Sequence, residues 1–74
     1  MYERFKQTLD VMAVSVKQNR YPTFHKFYND VSDFEKRIEF AHKHGLLSDN
    51  ELGDLDYRIN QLSEFWFFST NDVG

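Results

Sequence analysis

Hydrophobic residues recur along this chain at steps of three and four in three separate segments. This spacing places apolar side chains on one stripe of a helix. The stripes consist of Tyr2, Phe5, Leu9, Met12 and Val16; of Phe24, Phe27, Val31, Phe34, Ile38 and Ala41; and of Leu52, Leu55, Ile59, Leu62 and Trp66. No segment alternates apolar and polar residues as a half-buried strand would. The pattern therefore predicts an all-α protein.

The residues between the stripes are typical of helix ends. Pro22 disfavours helical geometry in the residue before it, and Gly45 is the residue type that most often follows a helix C-terminus. Ser48 and Glu51 have the spacing of a capping box, in which each side chain binds the backbone amide of the other residue. We predict helices near residues 2–19, 23–44 and 48–68, followed by a frayed tail at 69–74.

One position in the second segment favours a break. Ser32 and Glu35 match a second capping box, and the poor helix formers Asn29 and Asp30 precede them. The apolar stripe nevertheless continues across residues 24–41. We therefore predict a single helix, with a break near Ser32 as the alternative.

The length of the stripes and of the loops limits the possible architectures. Each stripe covers only two to three heptads, which favours a packed bundle over a free-standing coiled coil. The short loop at residues 45–48 makes the last two helices antiparallel neighbours. The sequence predicts one domain, 1–74, that folds as a small antiparallel three-helix bundle or as a helical hairpin with a docked N-terminal helix.

The composition limits how such a small domain can be stabilised. The chain has 74 residues and no cysteine, so disulfides and cysteine-bound metals are excluded. Aromatic residues make up 18% of the chain, and each buried ring removes a large area from water. Stability must therefore come from dense packing or from association.

The charge and hydropathy of the chain argue against two classes of partner. A net charge of −3 gives no general attraction to nucleic acid or to anionic lipid. No stretch approaches the roughly 20 apolar residues of a membrane span, and no secretory leader pattern is visible. We expect a cytoplasmic protein that does not bind membranes and whose main partner is not nucleic acid.

The residues that common enzymatic sites require are missing or scattered. There is no cysteine nucleophile, the serines lie outside any nucleophile-elbow motif, and the three glycines form no phosphate-binding loop. The acidic segment 49–56 also fails as a calcium loop, because Gly53 is its fifth residue and such a loop needs glycine at the sixth. We expect no catalytic activity and no cofactor.

One alternative is a metal site. Glu39 and His42 form a Glu-x-x-His pair, a pattern that supplies metal ligands in di-iron helical bundles. Those sites need two such pairs, and this chain has one. A metal site would therefore have to be assembled across an oligomer.

Another alternative is a small nucleic-acid-binding regulator. Lys17, Arg20 and Lys26 form a modest basic patch around Tyr21. Basic residues beside an aromatic ring can hold single-stranded nucleic acid. The acidic balance of the whole chain makes this the weaker hypothesis.

Four consecutive aromatic residues near the C-terminus are the clearest functional signal. Phe65, Trp66, Phe67 and Phe68 sweep about 300° around a helix, so one buried stripe cannot hold them all. Trp66 continues the stripe and is predicted to be a core residue. Phe65, Phe67 and Phe68, together with the off-stripe Tyr57, are predicted to bind a partner.

Acidic residues at the start of the third helix complete the predicted binding site. These are Asp49, Glu51, Asp54 and Asp56, which we expect to steer a basic partner. The hypothesis is a non-enzymatic protein–protein interaction module that binds itself, most simply as a dimer, or another protein. Small acidic helical proteins of this kind are often regulators or inhibitors of phage or plasmid type, and we expect such a role here.

Overall fold

The regular secondary structure of the described residues consists of three α-helices. The computed structural model describes residues 1–71 and contains α1 (Tyr2–Lys17), α2 (Phe24–Lys43) and α3 (Asp49–Asn71). No strand occurs within those residues. The predicted all-α class is confirmed, and the Cα atoms span 44 × 17 × 15 Å, so the bundle is a short rod.

α1 ends two residues earlier than predicted because Asn19 adopts a left-handed conformation with φ of 59°. Its amide donates to the carbonyl of Val16 at 3.0 Å, and the next amide, that of Arg20, donates to the carbonyl of Ser15 at 2.9 Å. These two bonds form a Schellman motif, which satisfies carbonyl groups that the helix end would leave unpaired. Asparagine is the residue type after glycine that most readily adopts this geometry.

α2 is one continuous helix, so the predicted continuity through Ser32 is confirmed. It begins after Thr23, whose hydroxyl accepts an amide hydrogen bond from the first turn. It ends in a second Schellman motif, in which Gly45 has φ of 75° and the Leu46 amide donates to the Ala41 carbonyl at 2.8 Å.

α3 begins with the predicted capping box. The Ser48 amide donates to Glu51 Oε1 at 2.9 Å, and the Glu51 amide donates to Ser48 Oγ at 3.1 Å. The helix then continues through Asn71, so residues 69–71 are helical where the sequence predicts fraying. Ser69 lines a groove with Tyr21 at this end of the helix. The rest of the predicted tail, 72–74, lies outside the described residues.

α1 and α3 run parallel, and α2 runs antiparallel to both. Near one end of the rod the Tyr2 hydroxyl of α1 donates to Asp54 of α3. At the other end the Trp66 indole of α3 donates to the carbonyl of Tyr21, just after α1, at 3.1 Å. Phe27, in the first turn of α2, stacks on Trp66 with 5.4 Å between ring centroids. The arrangement is a three-helix bundle with α3 packed against both other helices.

The core follows the three predicted stripes closely. Its buried side chains are Leu9, Met12, Val16, Tyr21, Phe27, Val31, Phe34, Ile38, Ala41, Leu47, Leu55, Ile59 and Leu62. Stripe positions at the ends of the rod are less buried, because no further layer of side chains covers them. Tyr2, Phe5 and Trp66 are half-buried, and Phe24 is exposed.

Candidate functional site

The two halves of the predicted binding site lie at opposite ends of α3. Asp49 is the first residue of this helix and Phe67 follows eighteen residues later. At 1.5 Å per residue they are about 27 Å apart along the helix axis. Asp49 and Phe67 therefore lie on separate surfaces. Between them, Asp54, Tyr57 and Phe65 line one groove beside α1.

Two of the acidic residues stabilise the start of α3. Glu51 belongs to the capping box with Ser48. Asp49 Oδ1 lies 2.6 Å from Nε2 of His42, in the last turn of α2. This contact ties the end of α2 to the start of α3 across the short loop. Both carboxylates thus have intramolecular partners, which sequence spacing alone reveals only for Glu51.

Asp54 is also engaged within the bundle, and Asp56 is exposed on the surface. The Asp54 carboxylate accepts from the Tyr2 hydroxyl and pairs with Arg58 Nε at 2.7 Å. The hydrogen bond from Tyr2, followed by the one from Arg58, holds the pKa of Asp54 below its usual value. The hydrogen bond between Tyr2 and Asp54 also raises the pKa of Tyr2. This group links α1 to α3.

The predicted metal ligands Glu39 and His42 are not supported by a third ligand in one chain. His42 contacts Asp49 as described, while Glu39 is exposed one turn earlier on α2. Within residues 1–71 no group of three His, Asp or Glu side chains is placed to hold a metal ion. A metal site assembled across an oligomer, as hypothesised from the sequence, stays a prediction.

The opposite end of the rod carries a cluster of exposed rings, which we term the aromatic surface. Its members are Phe24 and Tyr28 of α2 and Trp66, Phe67 and Phe68 of α3. The exposed fractions are 59% for Phe24, 54% for Tyr28, 57% for Phe67 and 65% for Phe68. Sequence patterns identify Phe67 and Phe68 but assign Phe24 to the core. The recognisable signal was that Phe24 and Tyr28, four residues apart, share one helix face.

Trp66 is the centre of the aromatic surface. Its ring lies parallel to the buried Phe27 ring, with an interplanar angle of 12°, and Phe24 meets it edge-on at 5.6 Å. The centroid of the Phe24 ring in turn lies 5.7 Å from that of the Tyr28 ring. Trp66 packs against the core but is only half-buried, so the prediction that it is a core residue holds in part. Ring geometries of this kind hold the exposed rings in place through aromatic contacts.

Tyr21 supports Trp66 from the loop between α1 and α2. Its carbonyl accepts from the indole, and its ring meets Phe27 edge-on at 5.4 Å. Its hydroxyl donates to Asp30 Oδ2 at 2.8 Å. Burial, and then the hydrogen bond to Asp30, raises the pKa of Tyr21 to about 12. The loop is thus fixed to α2 and α3 beneath the aromatic surface.

A groove of about 440 Å³ lies within the aromatic surface. It is lined by Phe24, Phe27, Ser63, Glu64, Trp66, Phe67 and Phe68. Among the described residues, Glu64 is the only charged one in this lining. The groove therefore suits apolar side chains.

Phe65 and Tyr57 do not belong to the aromatic surface, contrary to the grouping that the sequence suggests. Phe65 precedes Trp66 and therefore points about 100° away from it, where it lies half-buried against the core and lines a groove shared with Ala13 of α1. Tyr57 is exposed on α3, ten residues before Phe67 and about 15 Å from it along the axis.

The basic residues of the nucleic-acid hypothesis lie at the same end of the rod as the aromatic surface. Lys17 is the last residue of α1, Arg20 lies in the loop and Lys26 is in the first turn of α2; all three are exposed. Lys26 follows Phe24 by two residues, which rotates it about 200° around α2. Lys26 therefore faces away from Phe24, whereas Lys17 lines a groove with Trp66.

Comparison with known proteins gives no further guide. No protein-family model, curated protein or solved structure matches this chain. Within the described residues, none of the helices has the length and apolar character needed to cross a bilayer.

Proposed function

We propose that this protein is a non-enzymatic protein-binding module and that the aromatic surface is its binding site. The observation that carries the proposal is the grouping of Phe24, Phe67 and Phe68, each more than half exposed, around one apolar groove. The equally exposed Tyr28 ring lies beside Phe24. Contiguous exposed apolar patches mark interaction sites on soluble proteins. Aromatic side chains are also the commonest anchors of protein interfaces.

The free energy of ring burial supports this proposal. Full burial of a large apolar side chain is worth roughly 1.5–3 kcal/mol relative to exposure. Burial of Phe24, Phe67 and Phe68 in a complex recovers much of that free energy. The edge-on contact of Phe24 with Trp66 also holds part of the surface in position before binding, which lowers the entropic cost of association.

The mode of action in this proposal is the covering of a partner's surface. It includes no catalytic step, cofactor or membrane. The acidic end near Asp49 and Asp56 is a separate feature, which adds long-range steering rather than direct contact at the aromatic surface. Action as a small cytoplasmic regulator or inhibitor is consistent with this mode and rests on size and charge.

A nucleic-acid site at Lys17, Arg20 and Lys26 is the second candidate, since the bundle brings these three residues to one end. Two observations rank it lower. Lys26 faces away from the rings, and the groove between the rings is lined by the acid Glu64. Phosphate contacts would also make binding fall steeply as salt rises, so a salt titration separates the two candidates.

The test of the proposal is site-specific photo-crosslinking in extract of the host cell. A photoreactive phenylalanine analogue is placed at Phe67 and, as the matched control, at Phe40, which is 63% exposed at the other end of the rod. We expect a protein adduct at Phe67 that excess wild-type chain competes away and a Phe67→Ser, Phe68→Ser variant does not. No adduct at Phe67, or an equally competed adduct at Phe40, would overturn the proposal.

A further inference from the structure

We infer that the partner of the aromatic surface is a second copy of this chain, bound across a two-fold axis. This inference rests on the proposed function, because it names the protein that the aromatic surface binds. Three properties of the surface carry it: its area, its shape and its distribution of charge.

The area of the aromatic surface matches what a small dimer interface needs. A buried aromatic side chain removes roughly 150–250 Å² from water, so four rings that are 54–65% exposed would bury about 500 Å² on each copy. A two-fold pair would bury about 1,000 Å² from these rings alone, near the lower limit for specific interfaces. The exposed remainder of Trp66 and the groove residues Ser63 and Glu64 add to this area.

The shape of the aromatic surface allows it to pack against itself. A two-fold interface uses the same patch on both subunits, so a projecting group must meet a recess on the same patch. Phe68 is the most exposed ring of the surface, and the groove beside Phe24 and Trp66 is the recess. One copy's Phe67 and Phe68 would occupy the other copy's groove, and each such contact would occur twice.

The distribution of charge permits two copies to meet at this end despite the net charge of −3. Glu64 is the one charged residue in the groove lining, and the Tyr28 hydroxyl supplies a donor on the same surface that can pair with a carboxylate of the other copy. Asp49 at the acidic end lies about 27 Å along α3 from Phe67, or roughly three screening lengths at physiological ionic strength. Repulsion between the acidic ends is therefore weak.

The test is sedimentation equilibrium of the full chain over a wide concentration range. We expect the average mass to rise from 8.9 kDa toward twice that value, and the dimer to persist at high salt because apolar contacts hold it. A Phe67→Ser, Phe68→Ser variant is expected to stay at 8.9 kDa. The Phe40→Ser control removes an equally exposed ring at the other end and is expected to dimerise like the wild type.

A second variant guards against loss of folding in the double variant. Tyr28→Ser changes one exposed residue of α2, and we expect it to raise the dissociation constant about tenfold or more while the helical circular dichroism is unchanged. Dimerisation that survives both Tyr28→Ser and Phe67→Ser, Phe68→Ser would place the interface elsewhere and overturn the inference.

The outcomes separate this inference from the proposed function. A wild-type chain that stays at 8.9 kDa at every concentration overturns self-association. If the Phe67 crosslink then joins a different protein, the second-copy inference fails and the protein-binding proposal survives. If a vesicle or nucleic acid competes for the surface instead, both fail. No competed crosslink and no dimer would overturn both.

Discussion

The Trp66 indole Nε1 donates a 3.1 Å hydrogen bond to the carbonyl oxygen of Tyr21, although the two residues are 45 positions apart in the sequence. The bond fixes the end of α3 to the loop that joins α1 and α2. It also satisfies the polar atom of a ring whose faces pack on apolar neighbours, as buried indoles require. The aromatic surface is therefore positioned by this loop as well as by the helices that carry its rings.

Replacement of Trp66 by phenylalanine tests the role of this bond. Trp66→Phe keeps an aromatic ring against Phe27 but leaves the Tyr21 carbonyl without its donor. We expect a loss of about 0.5–1.5 kcal/mol in the free energy of unfolding, plus a smaller loss from the reduced ring area. Urea unfolding followed by circular dichroism measures the change. The control Tyr57→Phe alters an exposed aromatic residue on the same helix and is expected to leave the midpoint unchanged.

The core at the centre of α3 predicts a larger effect. Leu55 is fully buried and Ile59 nearly so. Ile59→Ala is expected to cost roughly 2–5 kcal/mol, because it removes buried methyl groups and leaves a cavity. Val11→Ala deletes a similar volume from an exposed position of α1 and should change the stability by less than about 0.5 kcal/mol. Equal denaturant midpoints for the two variants would show that the core is wrongly placed.

The contact of Tyr2 and Arg58 with Asp54 predicts a loss of stability in acid. The folded-state pKa of Asp54 is lowered from 3.8, so its stabilising effect is present above that pH and is lost as the pH falls through the folded value. We expect the urea midpoint of the wild type to fall more steeply below pH 5 than that of Asp54→Asn. Asp56→Asn controls for the change in net charge, and parallel curves for wild type and Asp54→Asn would contradict the assigned contact.

The helices and the core could be predicted from the sequence because both follow from the spacing of residues that are close together in the chain. Apolar spacing near 3.6 residues fixes which face of each helix is buried, and the capping box of Ser48 and Glu51 is a contact between near neighbours. The exceptions have local reasons as well. Phe24 continues its stripe in spacing, but it is the first residue of α2 and lies beyond the covered part of the bundle.

The candidate site could be predicted only in part because it depends on which helix ends meet. Phe67 and Phe68 are identified by their own sequence run, whereas Tyr28 joins them only because α2 runs antiparallel to α3. The pairing of Asp54 with Tyr2 likewise arises from a contact between distant parts of the chain. Residue spacing within one segment contains no information on such contacts.

The central claim is that association covers the aromatic surface, and the fluorescence of Trp66 tests it most directly, because this is the only tryptophan in the chain. Quenching by acrylamide is measured from dilute to concentrated protein, alongside the mass from sedimentation. We predict that Trp66 becomes protected as the mass rises, equally in Phe40→Ser and in the wild type, and that Phe67→Ser, Phe68→Ser shows neither change. A dimer in which Trp66 stays as accessible as in the monomer would contradict the claim.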